Sequence, residues 1–293
     1  MDVGVQLASA KVSQEDIDRI ANLLRAEYTV MPRFGYHQPM DYLLDSFPPR
    51  FQPVIHVEGH SLPLPAPPDR FGYPADDAEY LRMGEMDANI FKKQISKHLG
   101  DVENLSILDF GCSVGRVLRH FDKERVEKRW KLNGIDVQAL CIEWLRLHFP
   151  EDYCVTTGTV MPHLPFEDNS LDIIYGISVF THIKYLWDMW VLELRRVLKP
   201  GGLLLQTIHT ENAWSFYHKH KHLDWVRAGH SAVMLESEEM TSDWFHYGDI
   251  AVSQAFWKAE TAKRYWGRYL EVVDLLPPQH EFSFQDVMVC RKR

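Results

Sequence analysis

From about residue 75 onward, apolar and polar positions along the chain fall into two alternating periods. Residues 78–99 repeat at helical spacing, and 106–110 form a short apolar run that ends in a glycine-containing turn, a strand signal. The same reading predicts a helix over 114–123, a strand over 132–137, a helix over 139–148 and a short strand over 153–156. Residues 171–177 are a strongly apolar strand. A helix over 185–198 is stopped by Lys199-Pro-Gly-Gly202, and 203–208 are another buried strand. The tail differs: 270–276 and 286–291 read as strands on either side of a Pro277-Pro278 turn, an antiparallel hairpin. Alternating β and α units of this length predict an α/β fold, a doubly wound, mostly parallel sheet with helices on both faces. Ligand sites are then expected at the carboxyl ends of the strands.

Before residue 75 the pattern is set by proline. Ten of the 16 prolines lie there, seven of them between Pro48 and Pro68. Leu62-Pro-Leu-Pro-Ala-Pro-Pro68 cannot be a helix interior or a central strand, because each proline lacks an N–H and fixes φ. Residues 1–70 therefore read as an N-terminal appendage, joined by an extended segment to a main domain over 71–293. Within the appendage Ser13-Gln-Glu-Asp16 resembles a capping box, and Ile17, Ile20, Leu24 and Tyr28 form one apolar stripe. Such a stripe must dock, either on the main domain or on a second copy of the chain, so a homodimer through the appendage is an expectation.

Composition narrows the function classes. The chain has 293 residues, 45% hydrophobic and 25% charged, which excludes disordered and low-complexity classes and leaves material for a large core. Its net charge of −9 withholds the broad positive field of non-specific nucleic-acid binding, so no nucleic-acid partner is expected. Cys112, Cys141, Cys154 and Cys290 form no CxxC pair or zinc-like spacing and read as reduced thiols. No apolar run approaches the roughly 20 residues of a membrane span. The opening Met-Asp-Val-Gly lacks a signal-peptide pattern, so a cytoplasmic location is expected.

The chemistry begins at Ile107-Leu-Asp-Phe-Gly-Cys-Ser-Val-Gly-Arg116, where a buried strand enters a glycine turn followed by a helix. Glycine there lets a ligand approach the backbone and the first helical N–H groups. The Gly111-x-x-x-Gly115 spacing does not fit the dinucleotide fingerprint Gly-x-Gly-x-x-Gly. It resembles the first motif of class I S-adenosylmethionine-dependent methyltransferases, Asp/Glu-x-Gly-x-Gly-x-Gly, with Asp109, Gly111 and Gly115 matching and Ser113 replacing the middle glycine. Arg116 often follows the last glycine in bacterial members. Later segments follow in order. Leu164-Pro-Phe leads through Ser170-Leu-Asp172 into a strand ending Ser178-Val-Phe-Thr-His182, which is similar to a bacterial small-molecule subgroup. Leu198-Lys-Pro-Gly-Gly-Leu-Leu204 and Gln285-Asp-Val-Met-Val289 resemble that subgroup's fifth-strand turn and last strand.

The resemblance covers about residues 75–293. It implies a Rossmann-like seven-stranded sheet with S-adenosyl-L-methionine bound by Asp109, Gly111, Cys112, Ser113, Gly115, Asp136, Val137, Thr159, Val160 and Ile177. Asp136 would take the ribose hydroxyls, and Thr159-Val160 the adenine, where an aspartate is commoner than threonine. Arg82 and Gly84 are carried over as contacts to the methionine end, Arg82 to its carboxylate. His182 and then His209, both past strands at the same sheet edge, are the candidate bases for an acceptor that must lose a proton. Cys112 is a lesser nucleophile candidate, with small apolar packing as its alternative.

Residues 211–257 show no regular periodicity and hold nine aromatics and five histidines. Over the carboxyl edge such an insertion reads as a substrate lid, with Trp214, Tyr217, Trp244, Phe245, His246 and Tyr247 as pocket residues; plain packing onto the domain is the alternative. The lysine-interrupted His218-Lys-His-Lys-His222 reads as a solvated run, and no metal is expected. The resemblance thus implies methyl transfer to a small-molecule acceptor, an oxygen such as a sugar hydroxyl or a carboxylate. Two alternatives stay open: a non-catalytic S-adenosylmethionine-binding protein of the same fold, and a protein methyltransferase. Asp136→Ala is expected to weaken S-adenosylmethionine binding by about 1–3 kcal/mol. Titration calorimetry reads that directly, and unchanged affinity would remove Asp136 from the site.

Overall fold

The computed structural model describes residues 53–70, 73–183, 185–223, 226, 237–247 and 254–293. By contacts the chain divides into Met1–Arg50 and Phe51–Arg293, so the division falls nearer the N-terminus than the expected boundary at 70. The apolar stripe at 17–28 lies outside the described residues, and with it the expected homodimer contact.

The main unit opens with helix α1 (Asp77–Leu99), capped by the Asp76 side chain on the Glu79 N–H. Strands β1 (Ser106–Phe110), β2 (Lys131–Asp136), β3 (Cys154–Thr157) and β4 (Leu171–Gly176) alternate with helices α2 (Asp122–Glu127) and α3 (Ala139–His148). Helix α4 (Trp187–Val197) and strand β5 (Leu198–Ile208) follow. Next come α5 (Glu211–Lys219), β6 (Trp244–Tyr247), β7 (Gln254–Trp257), α6 (Ala259–Trp266), β8 (Glu271–Leu276) and β9 (Asp286–Arg291). The main sheet has the order β3-β2-β1-β4-β5-β9-β8. Its first five strands are parallel and β9 is antiparallel to both neighbours, the seven-stranded doubly wound sheet with a terminal hairpin that the pattern predicts.

Strand parity sorts the core into two layers, because successive side chains point to opposite faces. Ile107, Ile173, Tyr175, Leu203, Leu205, Val287 and Val289 pack with Phe91 and Ile95 of α1 and with Ile142 and Leu145 of α3. Leu108, Ile174, Leu204, Met288 and Cys290 pack with Val191 and Leu194 of α4 and Trp266 of α6. Burial on both faces explains why these strands read as continuous apolar runs.

Two local expectations are corrected. The helix expected over 114–123 is a turn, then a 3-10 segment at Leu118–Phe121, with α2 only from Asp122. The reason lies in Arg119, which is 6% exposed and turns back to bond the Gly115 carbonyl at 3.2 Å and the Pro63 carbonyl at 3.0 Å. The helix before 199–202 does end, at Val197, but the strand expected from 203 begins at Leu198, which already pairs with Leu171; the register shifts between Leu171 and Ile173.

The proline-rich stretch is part of the main unit. Ile55 and Leu64 form an antiparallel bridge, and Leu64 is fully buried. Arg70, also fully buried, donates to the carbonyls of Pro65, Pro74 and Ala75 and pairs with Asp77 at the start of α1. These bonds replace the ladder that proline denies the segment. Arg70→Met should leave three carbonyls and a carboxylate without their donor, lowering stability by about 3 kcal/mol in urea unfolding.

Candidate functional site at the carboxyl edge of the sheet

The ends of β1, β2 and β4 meet around the glycine turn. Gly111 and Cys112 both donate to the Ile135 carbonyl, at 2.8 and 3.1 Å, so the turn folds over the end of β2. Gly111 has φ +84°, and a Cβ there would lie 2.3 Å from Val179 Cγ2. Only glycine fits. Ser113, at φ +47°, holds a left-handed conformation with a side chain. It is held there by its own N–H, which donates to Asp136 Oδ2 at 2.8 Å. Asp136 Oδ1 accepts the Gln138 N–H at 2.8 Å. A carboxylate offers about four acceptor positions, so Asp136 fastens the turn and keeps capacity for two hydroxyls. Burial pushes its carboxyl up, against the pull of these N–H donors. Val137 lies just beyond β2 and is half-buried.

Nearby, Gly158 donates to the Asp136 carbonyl at 2.8 Å, which sets the 158–160 turn beside the same strand end. Thr159 is exposed and bonds the Met161 carbonyl at 3.0 Å, with Val160 half-buried beside it. Gly115 packs against Leu145 and Phe149. Cys112 is 3% exposed and lies against Gly134; burial drives its thiol far above the usual range, so it is a small packed group and no nucleophile.

Asp109 is 3% exposed and sits opposite Tyr175 in the β1–β4 register. Burial pushes its carboxyl up to about 7; Tyr175 and Arg116 act against that rise and Asp136 adds to it.

On the β4–β5 side of the turn lies a cavity of about 200 Å³. Its walls come from α1 (Met83, Asp87, Ile90, Phe91), from Arg116, from Ile177, Ser178 and Thr207 at the strand ends, and from the loop between β8 and β9. Ser178 has φ +59°, and its N–H donates to Thr207 Oγ1 at 2.7 Å. Gln285 Nε2 donates to Ser178 Oγ at 2.6 Å. Asp87 is bound twice, to Arg116 at 2.6 Å and His280 at 2.8 Å, which together hold its carboxyl below the usual range against the opposing effect of burial. His280 Nδ1 accepts the Phe282 N–H at 3.2 Å, so Nε2 carries the proton toward Asp87 and both ring nitrogens are engaged.

The structure redistributes the other expected residues. Arg82 is exposed, paired with Glu281 at 2.9 Å and set 4.5 Å over the Phe282 ring. A Cβ on Gly84 would lie 2.5 Å from the Arg116 carbonyl, so this glycine lets α1 pack on the turn and leaves no space for a cofactor. His182 lies in the turn after β4, its N–H on the Val179 carbonyl. His209 is corrected as a base: it is 1% exposed, stacked 4.7 Å from Phe256 and flanked by Tyr217 and Phe284. The expected lid residues pack as well. Trp214 and Tyr217 are buried with Phe256 in a separate cluster, and Trp214 Nε1 donates to the Ser237 carbonyl. Phe245 stands edge-on to Trp214, while the Trp244 and His246 rings lie tilted, 4.6 Å apart. Tyr247 ends β6, which pairs with β7. Of Trp214, Tyr217, Trp244, Phe245 and His246, none lines the cavity. Sequence reasoning missed Asp87, His280, Phe282, Phe284 and the roles of Arg116 and Gln285; only Arg116 and Gln285 stood inside a motif.

Residues 108–206 match the family model described as a methyltransferase domain. The matched segment is about a third of the chain. A tRNA N(3)-methylcytidine methyltransferase of Drosophila melanogaster is 37% identical over 107 residues, 34% of this chain and 33% of that protein. A sterol 24-C-methyltransferase of Schizosaccharomyces pombe is 30% identical over 122 residues, 39% and 32% of the two chains. A demethylmenaquinone methyltransferase of Lactococcus lactis is 31% identical over 129 residues, 41% and 49%. The chain therefore spans about a third to a half of the length of these relatives. Among solved structures, a Haloferax volcanii complex of the Trm112 methyltransferase activator with a methyltransferase matches with TM-score 0.53 and 16% identity, over 76% of this chain and 98% of that one. A protein described as an S-adenosylmethionine-dependent methyltransferase from Listeria monocytogenes gives 0.51 and 13%, over 72% and 99%. Both share the fold.

S-adenosylmethionine is the cofactor that a methyltransferase domain of this kind calls for, and the residues fit it. Asp136 offers acceptors for ribose hydroxyls, Gly111 leaves the turn bare, and the buried Asp109 carboxyl suits a cationic ligand. A carboxyl raised in the fold contributes its stability fully below its unfolded value near 4 and loses it as pH rises through the folded value. Ligand-free protein should therefore lose about 1–3 kcal/mol relative to Asp109→Asn between about pH 4 and pH 7. Thermal melts across that range test this, and a pH-independent difference would count against a raised carboxyl.

Proposed function

We propose that this protein transfers a methyl group from S-adenosylmethionine to an oxygen of a small acceptor bound in the cavity between α1 and the β8–β9 loop. The cavity carries the proposal: it adjoins the glycine turn, its walls are largely apolar and aromatic, and at about 200 Å³ it suits a small molecule or a protruding group. The net charge of −9 supports a small acceptor over a polyanion, although one relative is a tRNA methyltransferase.

The cofactor supplies an activated methyl group on a sulfonium. The protein's share is alignment and exclusion of water. Asp136 and the 111–113 backbone hold the adenosyl end. Ile177 and Ser178 stand where β4 ends beside the turn, and Phe91, Phe282 and Phe284 supply aromatic wall to the cavity. Among its described walls, His280 is the only imidazole, and both of its nitrogens are engaged. That favours an acceptor oxygen already ionised at neutral pH, such as a carboxylate, over a sugar hydroxyl that needs a base.

Incubating the protein with methyl-labelled S-adenosylmethionine and a metabolite extract, a tRNA fraction or a protein fraction distinguishes the acceptor classes. Label is expected in the small-molecule fraction, and Phe284→Ala should lower its rate of appearance about tenfold through lost wall contact. Label confined to tRNA or protein would overturn the small-acceptor reading.

A further inference from the structure

Arg116 has a donor that the protein does not use. Its guanidinium is 5% exposed, lies 4.0 Å over the Tyr73 ring, and places Nη2 on Asp87 Oδ2 at 2.6 Å and near the Tyr73 hydroxyl at 3.4 Å. Nη1 is buried and has no hydrogen-bond partner among the described residues. A buried guanidinium N–H without an acceptor is rare, since leaving it unmet costs about as much as the bond would stabilise. The side chain also lines the 200 Å³ cavity. The unused donor therefore sits at the wall of a space built for a ligand.

The order of strands says which part of the ligand arrives there. Asp136 ends β2 on one side of the glycine turn, and the cavity opens on the other side, beside β4 and β5. A cofactor held by its ribose at Asp136 and laid across the turn brings its amino-acid end to the Arg116 side of the cavity, leaving the side walled by Phe282 and Phe284 for the acceptor. That end carries a carboxylate, the group that a guanidinium fork matches best. Arg82, the other arginine considered for this role, is spent at the surface on Glu281. Asp87 and His280 fix the guanidinium from behind, leaving Nη1 as the edge available to the ligand.

We infer that Arg116 binds the carboxylate of the cofactor's methionine end through Nη1. This rests on the cofactor reading above, and its test separates the two. Calorimetry on the full chain compares S-adenosylhomocysteine, which has the carboxylate, with 5′-methylthioadenosine, which lacks the whole amino-acid end. Arg116→Met is expected to weaken S-adenosylhomocysteine about 10- to 100-fold, the range of a hydrogen bond to a charged group, and to leave methylthioadenosine within about twofold. Arg116→Lys keeps the charge, loses the fork, and should fall between. Unchanged S-adenosylhomocysteine affinity would overturn the inference and leave the donor to an acceptor carboxylate. Equal losses for both ligands would overturn it too, as the mark of a purely structural role. If Arg116→Met does not fold, the wild-type protein still decides: equal affinity for S-adenosylmethionine and its decarboxylated form refutes carboxylate recognition. Should the wild type bind none of these nucleosides, the cofactor reading itself falls.

Discussion

A carboxylate inside a protein is costly unless its charge is answered, and Asp87 is answered from two directions at once. Arg116 reaches it from the turn after β1 and His280 from the loop between β8 and β9, while Asp87 itself projects from α1. Three parts of the chain, separated by up to 193 residues, are tied at one point. The cavity exists because of that tie: α1 forms one wall, the terminal loop another, and the strand ends its floor. The same loop is also held by Gln285 on Ser178, by Glu281 on Arg82 and by Phe284 against His209 and Phe216.

The sheet supplies the platform for this arrangement. Five parallel strands place every β-to-α turn on one edge, and β9, running the opposite way between β5 and β8, returns the loop before it to that same edge. Antiparallel insertion is thus what lets residues 280–285 face Arg116, although they lie at the far end of the sequence. The left-handed backbone at Ser113 and Ser178 marks where the edge is under local strain, at the turns after β1 and β4.

Much of this was legible in the sequence because it is local. β1, α3 and β9 were bounded to the residue, since buried strands and capped helices carry their own periodicity. The turn around Gly111 and the acid at 136 were readable from spacing alone. What failed to read was tertiary. Asp87 and His280 are ordinary residues in their own neighbourhoods, and only the fold brings them to Arg116. The aromatic richness of 211–257 pointed to a pocket, but His209, Trp214, Tyr217 and Phe256 use it to bury one another. Composition does not say which face a ring turns to the ligand. Proline misled in a similar way: it excluded helix and strand at 62–68 correctly, yet could not reveal that Arg70 and Arg119 bind this stretch into the core.

The cavity walls come from two different parts of the chain. The segment that matches the methyltransferase family model ends at residue 206 and begins at 108. It contains the glycine turn, Asp136, Ile177 and Ser178, but not Asp87, Thr207 or the loop from His280 to Gln285. The matched segment thus supplies Arg116, while the two groups that fix Arg116, Asp87 and His280, come from outside it. Exchanging residues 83–91 together with 280–285 would change the cavity wall and the support of Arg116 in one step, so the two ends of the cavity cannot be altered independently.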